Sequence, residues 1–541
     1  MNSYRLLLVS DQPPRSLWIL LRRIEKELSA AQICGIALQT SARGTHRADL
    51  GRRGIVDLLL SVVHASPALP STAVFGLAEL AHECRRRQLP LLVSDDLAGQ
   101  EMASFVRGKA ADLALVVGTP NVDPAILTIP RYGSLRVQIS RSATDRSNTK
   151  SAAETSSGRE ERLFVSVEPA FDATPAQRVI CVQLPVQPFN TPTTISPVSD
   201  LITNDLLIRA VSSLCCGKTC DTAEQVSSWV REKFTSCFGG NTSGPPADWQ
   251  QPSRWRTRPA WRLCLHTLVL FSPCVIARNW YRRWRGNFPV VVLFHHLISD
   301  RPHRMGIPTE IFLREVEFLQ KHYRVVSLSE ALEILRSGSC KVPTVVLTFD
   351  DGYADNFLYL RAVTEATGIP ASLFVCTNAV ESRGEFQHDR KNGGAGFRAL
   401  SWDQIRYWQS DRIEFGTHTR SHYDCGSADT RALEDEIAGS REDMQRQLGT
   451  SPRFFAFPWG KTRNMSREAL RIAASTYEYS FSTLALENFA KNGSALNVAG
   501  RKPLPASVWE LELTVQSIFD LFSRLRRGSA ERQQESNIAM S

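Results

Sequence analysis

The chain has 541 residues, which is too long for one domain and predicts two to four. Hydrophobic residues make up 43% and charged residues 22%, a composition that excludes a largely disordered protein. Sixty-four basic against 55 acidic side chains give a modest net charge of +9. No recognised nucleic-acid module accompanies the basic residues, so we expect no nucleic-acid partner.

The cysteines and the N-terminal residues indicate in which cellular compartment the protein is expected. Twelve cysteines are scattered without the spacing of a Cys-x-x-Cys metal site, which favours a reducing environment. The first eleven residues have the length of a short strand, and no secretory apolar region with a cleavage site follows them. We therefore expect a cytoplasmic protein.

Residues 1 to about 140 alternate strand and helix signals, which predicts an open parallel α/β sheet. The predicted strands are Arg5–Val9, Ile33–Leu38, Pro90–Val93 and Leu113–Val117, and the predicted helices are Pro14–Ala30 and Thr72–Gln88.

Two runs in this part of the chain, 111–118 and 126–138, resemble a formyltransferase domain of the tetrahydrofolate-dependent type. The resemblance covers about residues 1 to 235 and implies a Rossmann-like domain, which we place at 1–238. Such enzymes carry an Asn-x-His element and a later aspartate. Here Arg136 and Gln138 stand at the aligned positions, and Asp172 is the candidate for the aspartate. We therefore expect the fold without formyl transfer.

Residues 239–287 are predicted to be a linker or an interfacial segment. Five tryptophans alternate there with eight arginines: Trp249, Trp255, Trp261, Trp280 and Trp284, and Arg254, Arg256, Arg258, Arg262, Arg278, Arg282, Arg283 and Arg285. The apolar stretch between them, 263–277, is shorter than the ~20 residues that span a bilayer. One alternative is an interfacial segment that contacts the inner membrane face. The other, which the pattern favours, is a helix packed on the next domain with a basic outer face. The tail, 528–541, has a composition typical of disorder.

Two adjacent carboxylates follow the apolar run 345–347, which predicts a buried strand. The motif is Thr348-Phe349-Asp350-Asp351-Gly352-Tyr353. Ionised carboxylates avoid apolar surroundings unless a metal, a cation or hydrogen-bond donors compensate them. Gly352 allows a sharp turn that points both into one cavity. The alternative is an ordinary Asp-Gly turn after a strand.

A second element, His418-Thr419-Arg420-Ser421-His422, follows another strand-like piece. Two imidazoles four residues apart can reach one metal ion. With Asp351 as a third ligand they would make a site with an open position for water, which is typical of catalytic zinc. Taken alone, the pair of histidines is weak evidence for a metal site, because histidines often lie in surface turns.

A third element, Arg453-Phe454-Phe455-Ala456-Phe457-Pro458-Trp459-Gly460, places an arginine before an apolar strand and an aromatic turn after it. An arginine can hold a carboxylate through a bidentate pair and keep it ionised. The aromatic turn offers flat surface of the kind that stacks on sugar rings. The alternative is an ordinary strand and turn.

In this order, the three elements resemble the polysaccharide deacetylase family, the hydrolases with NodB homology, over about residues 288 to 510. The resemblance implies a distorted (β/α) barrel with fewer than eight strands and hydrolysis of an N-acyl group on an amino sugar. It implies Asp350 as general base, Arg453 as the arginine that orients it, and one divalent metal ion, usually zinc. The implied metal ligands are Asp351, His418 and His422, and the implied substrate groove contains Tyr353, Phe457, Pro458, Trp459 and Gly460. We place this domain at 288–527.

One departure from the family concerns the proton donor to the leaving amine. The family often carries a late histidine, whereas the corresponding region here is 496–505 and no histidine follows His422. His295 and His296 end the first predicted barrel strand, where active sites of such barrels gather, and we select His295 as the candidate.

Three classes of function therefore compete. The first is a metal-dependent hydrolase that removes an acetyl or formyl group from an amino sugar, an oligosaccharide or a lipid-linked sugar. The second is a catalytically silent carbohydrate-binding protein that uses the same groove, and the third is a formyltransferase. A pure binding module needs no metal triad together with a base, which favours the hydrolase. The altered Arg136 and Gln138 positions disfavour the formyltransferase.

Overall fold

The structure is a computed structural model that divides the chain into two compact units. Unit 1 comprises residues 1–47 and 74–235, and unit 2 comprises 48–73 and 236–541. The described residues are 4–40, 59–64, 76–118, 120–140, 162–169, 180–185, 192–215, 260–301, 303–390, 396–410, 412–484, 486–490, 498–505 and 507–520. Asp172, the first Trp/Arg residues up to position 259 and the tail 528–541 lie outside them.

Unit 1 contains a seven-stranded sheet in the order β3-β2-β1-β4-β5-β6-β7. The strands are β1 (Tyr4–Ser10), β2 (Ala31–Gln39), β3 (Leu91–Ser94), β4 (Leu113–Val117), β5 (Ser134–Ser140), β6 (Arg162–Pro169) and β7 (Ile180–Pro185). The helices are α1 (Pro14–Glu27), α2 (Leu77–Arg86), α3 (Gln100–Lys109), α4 (Pro124–Leu127) and α5 (Pro192–Cys215).

The first five strands of this sheet are parallel, which confirms the predicted open α/β sheet. The last two are antiparallel and extend the sheet beyond β5. β4 is buried along its whole length, as its unbroken Leu-Ala-Leu-Val-Val sequence predicts for a central parallel strand. Arg136 stands where the related formyltransferases carry asparagine. It lies on β5 and pairs with Glu168 of the antiparallel strand β6.

Unit 2 is built on parallel strands in the order β17-β16-β15-β14-β13-β12-β8-β18, with β11 paired to β12. These are β8 (Val290–His295), β11 (Arg324–Val325), β12 (Thr344–Phe349), β13 (Ala371–Val375), β14 (Ile413–Thr417), β15 (Phe454–Ala456), β16 (Tyr479–Phe481), β17 (Val498–Ala499) and β18 (Arg501–Pro503). A separate small pair consists of β9 (Leu297–Ile298) and β10 (Gly306–Ile307).

Helices accompany these strands along the chain. They are α6 (Ala260–Leu270), α7 (Pro273–Arg285), α8 (Thr309–His322), α9 (Leu328–Arg336), α10 (Asp355–Thr367), α11 (Thr377–Ser382), α12 (Gln387–Arg390), α13 (Trp402–Trp408), α14 (Thr430–Leu448), α15 (Arg467–Thr476) and α16 (Val508–Val515). Inward side chains of the strands, among them Val292, Val346 and Phe481, form one buried core.

The sheet of unit 2 closes on itself at Gly500. β17 pairs with β16 and β18 pairs with β8, so one short segment joins the two edges of the sheet. Counted as one, β17 and β18 complete a barrel of seven strands, which confirms the predicted (β/α) barrel with fewer than eight. The buried amide of Asn488 bridges the junction: its Nδ2 donates to Val290 O at 3.1 Å and Gly500 O at 2.9 Å, and its Oδ1 accepts from Gly500 N at 2.9 Å.

The predicted linker contains two helices of unit 2, α6 and α7. Ser272 caps α7 through Val275 N, Pro273 opens it, and Gly286 ends it with a φ of 62°. Leu270 and Val275 pack in a cluster with Leu513 and Ile518. Among the described residues no single helix is long and apolar enough to cross a bilayer. Residues 263–270 and 273–285 pass that test only as a pair bent by 49°.

Candidate active site

Asp350 and Asp351 follow β12 directly and are both buried. Asp351 and Gly352 have positive φ angles of 69° and 86°, so the chain turns sharply here. A Cβ on Gly352 would lie 2.7 Å from Val375 Cγ1, which explains why glycine occupies this position. A non-glycine residue at positive φ is strained, and such strain is common at functional sites.

His418 and His422 come from the segment after β14, and their rings lie 5.1 Å apart. Nδ1 of His418 lies 2.7 Å from Ala456 O and therefore carries the proton, which leaves Nε2 as a ligand atom. Nε2 of His418 lies 3.7 Å and Nε2 of His422 lies 3.4 Å from Asp351 Oδ1. The turn between them places His422 at a φ of 61°.

These three residues fit a divalent metal ion. One ligand atom from each lies within 4.8 Å of the others. Within the described part of the chain no hydrogen-bond donor reaches the buried Oδ1 of Asp351, which faces the two ring nitrogens. A buried carboxylate oxygen without a donor is costly unless a cation compensates it. Burial lowers the pKa of His418 to about 3 and also lowers that of His422, so both rings are neutral as metal ligation requires.

Arg501, on β18, holds Asp350. Its Nη1 and Nη2 donate to Oδ1 and Oδ2 at 2.6 and 2.8 Å, a bidentate pair that is fully buried. The guanidinium also lies over the rings of Phe294 and Phe374. Burial alone would raise the pKa of Asp350, but Arg501 and His418 bring it down to about 2. The carboxylate is therefore ionised at neutral pH, as a general base must be.

The prediction that Arg453 orients Asp350 is wrong. Arg453 makes a bidentate pair with Glu478 at 2.8 and 2.9 Å and donates to Ser329 Oγ. It immediately precedes β15 and so lies at the amino end of the barrel strands, whereas Asp350 lies at the carboxyl end. The arginine that the carboxylate needs comes instead from the segment that closes the barrel.

His295 is the last residue of β8 and His296 follows it directly, and both lie near the carboxylates. His295 is buried, and burial together with His296 lowers its pKa to about 3. At neutral pH the ring then has no additional proton to donate, which disfavours the predicted general-acid role of His295. His296 is half-buried and lies near both Asp350 and Asp351. The structure therefore favours His296 of the two candidates.

Residues 337–477 match the family model "Polysaccharide deacetylase". This chain carries a polysaccharide deacetylase domain. The curated relative "Putative polysaccharide deacetylase YxkH" from Bacillus subtilis is 22% identical over 187 residues, which cover 34% of this chain and 61% of that protein. The chain thus spans about three fifths of the length of that relative.

One solved deacetylase, the protein IcaB and one solved formyltransferase are among the similar structures. Streptococcus pyogenes deacetylase PplD is 20% identical with a TM-score of 0.35, and the match covers 42% of this chain and 98% of that one. IcaB from Ammonifex degensii is 22% identical with a TM-score of 0.36, covering 42% and 97%. The phosphoribosylglycinamide formyltransferase of Coxiella burnetii is 13% identical with a TM-score of 0.27, covering 40% and 89%.

The aromatic turn of the deacetylase domain divides into an exposed and a buried part. Trp459 is 49% exposed, and its ring meets the His422 ring edge-on at 4.5 Å. This is a suitable position for a groove wall beside the metal ligands. Pro458 and Gly460 are buried beneath it. Phe457 is fully buried and packs against Phe455, so its side chain cannot contact a substrate as predicted.

Tyr353 packs behind the residues of the site and does not line the substrate groove. Its side chain is fully buried, and its hydroxyl donates to Asp389 Oδ2 at 2.6 Å. Its side chain therefore does not line the substrate groove. The expectation from the sequence is that a backbone N–H near Tyr353 holds the oxyanion, and this stays a prediction.

His388 is a residue of the site that the sequence motifs missed. Its Nε2 lies 2.8 Å from the Tyr353 hydroxyl and 3.7 Å from Asp351 Oδ2. Its ring stacks on Phe386 and lies 5.4 Å from the His422 ring. It belongs to the short helix α12, in a segment without a recognisable motif, and only the tertiary fold brings it to the carboxylates.

Proposed function

We propose that the deacetylase domain is a metal-dependent hydrolase that removes an N-acyl group, acetyl or formyl, from an amino sugar or a polysaccharide precursor. The observation that carries this proposal is the pairing of two unlike carboxylates. Asp351 Oδ1 faces two histidine nitrogens without a donor, while the adjacent Asp350 is held ionised by Arg501. The first arrangement suits a metal ligand and the second suits a base.

The residues of the chain would divide the chemistry as follows. Asp351, His418 and His422 would hold one divalent ion, preferably zinc. When bound, such an ion supplies Lewis acidity, which polarises an acyl carbonyl and lowers the pKa of water. Asp350 would accept the proton from the attacking water, and Arg501 would keep its carboxylate ionised and oriented. His296 would hold the proton that the leaving amine requires.

The substrate would lie against Trp459. An exposed indole next to a metal site can stack on the apolar face of a sugar ring, and the rings of His422 and His388 would form the adjoining wall. We propose an N-acylated amino sugar, free, in an oligosaccharide or linked to a lipid. Unit 1 would serve as a binding or scaffolding domain rather than as a formyltransferase.

We propose a cytoplasmic location for the protein. Seven cysteines among the described residues have free thiols, and five of them are at least half-buried. Thiols that stay unpaired in a folded chain are compatible with a reducing compartment.

The test is acyl release from a panel of N-acetylated and N-formylated amino sugars, with the full chain stripped of metal and then supplied with zinc. We expect acetate or formate to appear only with zinc. His418→Ala with His422→Ala should bind no stoichiometric zinc by elemental analysis and should release no acid. Arg453→Gln, which lies away from the site, is the matched control and should behave as the wild type. Full zinc occupancy in the double histidine variant would contradict the metal assignment, and zinc binding without any hydrolysis would favour a silent binding protein.

A further inference from the structure

The helix α7 departs from the usual amphipathic pattern, because the three aromatic side chains of its C-terminal half face outward. Trp280, Tyr281 and Trp284 are 55%, 60% and 78% exposed. They share one face of the helix, since they are spaced at three and four residues. On α6, Leu265 and Leu268 are also exposed. These five side chains are here termed the outer aromatic face.

The polar side chains of α7 point inward instead. Asn279 is buried and donates to Val63 O at 2.7 Å and to Gln516 Oε1 at 2.9 Å. Arg278 donates to Gln516 O at 3.1 Å, and Arg282 pairs with Glu487 at 3.1 Å. These bonds fix the rotation of the helix, so the tryptophans cannot turn inward without breaking them. The sequence-based prediction of a basic outer face is therefore wrong in its main feature.

The segment of the chain that carries the outer aromatic face has charges of one sign. The sequence contains no Asp or Glu from Trp249 to Ser299. Arg283 and Arg285 lie on the last turn of α7, together with Arg282, which pairs with Glu487 inside the domain. The guanidinium of Arg285 lies 5.9 Å from the centre of the Trp284 ring. Large exposed apolar patches on soluble proteins mark interaction sites. A partner of the outer aromatic face must therefore offer an environment that accommodates indole rings and a negative charge that attracts arginines.

We propose that the outer aromatic face binds the surface of an anionic lipid bilayer, with α7 lying in the plane of the membrane. Tryptophan and tyrosine prefer the interfacial region, where the ring is apolar and the N–H or O–H remains hydrated. Arginines beside them are attracted by anionic headgroups. The bend of 49° between α6 and α7 and their short lengths fit a segment that lies on a bilayer rather than one that spans it.

This surface is separate from the proposed active site. α7 leads into β8 at its first residue, Val290, and therefore ends at the amino end of the barrel strands. Asp350 and the histidine ligands lie at the carboxyl end. The outer aromatic face is thus an attachment site and no part of the substrate groove, and its test does not depend on the proposed hydrolysis.

The experiment is co-sedimentation of the full chain with vesicles of phosphatidylcholine alone or mixed with phosphatidylglycerol, at low ionic strength where screening is weak. We expect binding to the anionic vesicles and much weaker binding to the neutral ones. The triple variant Leu268→Ser, Trp280→Ser, Trp284→Ser should lower the partition coefficient at least tenfold. Arg283→Gln with Arg285→Gln should lower it by about twenty-five-fold, at about fivefold for each arginine.

The matched control is Tyr132→Ser, which removes an exposed aromatic side chain of unit 1 and should bind as the wild type does. Thermal unfolding should show that the triple variant remains folded, since its changed side chains are solvent-exposed. Absence of binding to either vesicle, or equal binding by the wild type and the triple variant, would overturn the proposal. Self-association in sedimentation velocity that the triple variant abolishes, without any vesicle binding, would also overturn it and would assign the face to a second copy of the chain.

Discussion

Arg501 and Asp350 form a buried bidentate ion pair although the two residues are 151 positions apart in the sequence. Burying two charges is costly, and here the cost is offset by close geometry and further contacts. Arg501 also donates to Thr348 Oγ1 and Ser482 O, and its planar face lies on aromatic rings. The pair therefore links closure of the barrel to the ionisation state of Asp350, the proposed base.

Replacing Arg501 should therefore impair both catalysis and folding. Arg501→Met leaves the Asp350 charge buried without its partner, which costs about 3–5 kcal/mol. With Arg501 gone, burial raises the pKa of Asp350, so the acid limb of the activity profile should move to higher pH. Arg453→Gln should change neither quantity. Unfolding in denaturant and the pH dependence of kcat/KM measure the two effects, and an unchanged acid limb would argue against Asp350 as the group that Arg501 controls.

The same pair predicts how stability depends on pH. The pKa of Asp350 is lowered from 3.8 to about 2, so the carboxylate contributes stability above its unfolded pKa. That contribution should be lost as the pH falls from about 4 toward 2. In Arg501→Met the order should be reversed, because burial then raises the folded pKa of Asp350 above the unfolded one and falling pH adds stability. Urea unfolding at a series of acidic pH values, in a metal-free sample of each protein, would test this order.

The two adjacent carboxylates should differ on substitution. Asp350→Asn should retain zinc and lose activity by about 10²–10⁴-fold, the usual range for removal of a general base. Asp351→Asn should bind zinc more weakly, because it removes a ligand. Elemental analysis and single-turnover assays on both variants separate the roles. If Asp350→Asn loses the metal and Asp351→Asn keeps it, the assignments must be exchanged.

Substitution of His296 should impair catalysis more than substitution of His295, the reverse of what the sequence predicted. His296→Gln should lower kcat by more than tenfold with little effect on stability, since the ring is half-exposed beside the carboxylates. His295→Gln should lower the melting temperature more than kcat, because the ring is buried. A larger loss of kcat in His295→Gln than in His296→Gln, for two equally folded proteins, would restore the original candidate.

Asn488 should be a stability determinant of the barrel. Asn488→Ala removes three hydrogen bonds and leaves buried backbone groups of Val290 and Gly500 without partners, which we expect to cost about 3 kcal/mol. The exposed Asn287, replaced by alanine, is the control and should change the free energy of unfolding by less than about 0.5 kcal/mol. Denaturant titration decides the matter, and equal stability of the two variants would show that the junction is held by other contacts.

Formyl transfer should be absent from unit 1. The full chain with Asp350→Asn, which cannot then hydrolyse a product, should form no N-formyl sugar from a folate formyl donor and an amino sugar. The reason is that Arg136 and Gln138 supply neither the amide nor the imidazole of the related enzymes. Product formation above the uncatalysed rate in this variant would refute the prediction.

The sequence alone determined the parts of this protein that depend on local pattern. Alternating strand and helix signals predicted the parallel sheet of unit 1, and polar motifs after strand-like segments predicted the cluster of Asp351, His418 and His422. The barrel was implied by the resemblance of those motifs to the polysaccharide deacetylase family. These residues lie next to the strands that carry them, so spacing along the chain is enough to bring them to one edge of the sheet.

Only the tertiary structure decided which distant residues complete the site and which faces are covered. Arg501 replaced Arg453 because closure of the barrel at Gly500 brings the last strand beside the first, a contact between positions far apart in sequence. His388 reached Asp351 from a helix without a motif, and the tryptophans of α7 faced outward because Asn279, Arg278 and Arg282 found partners inside. Such choices follow from the sum of packing and hydrogen bonding across the fold, which no local pattern contains.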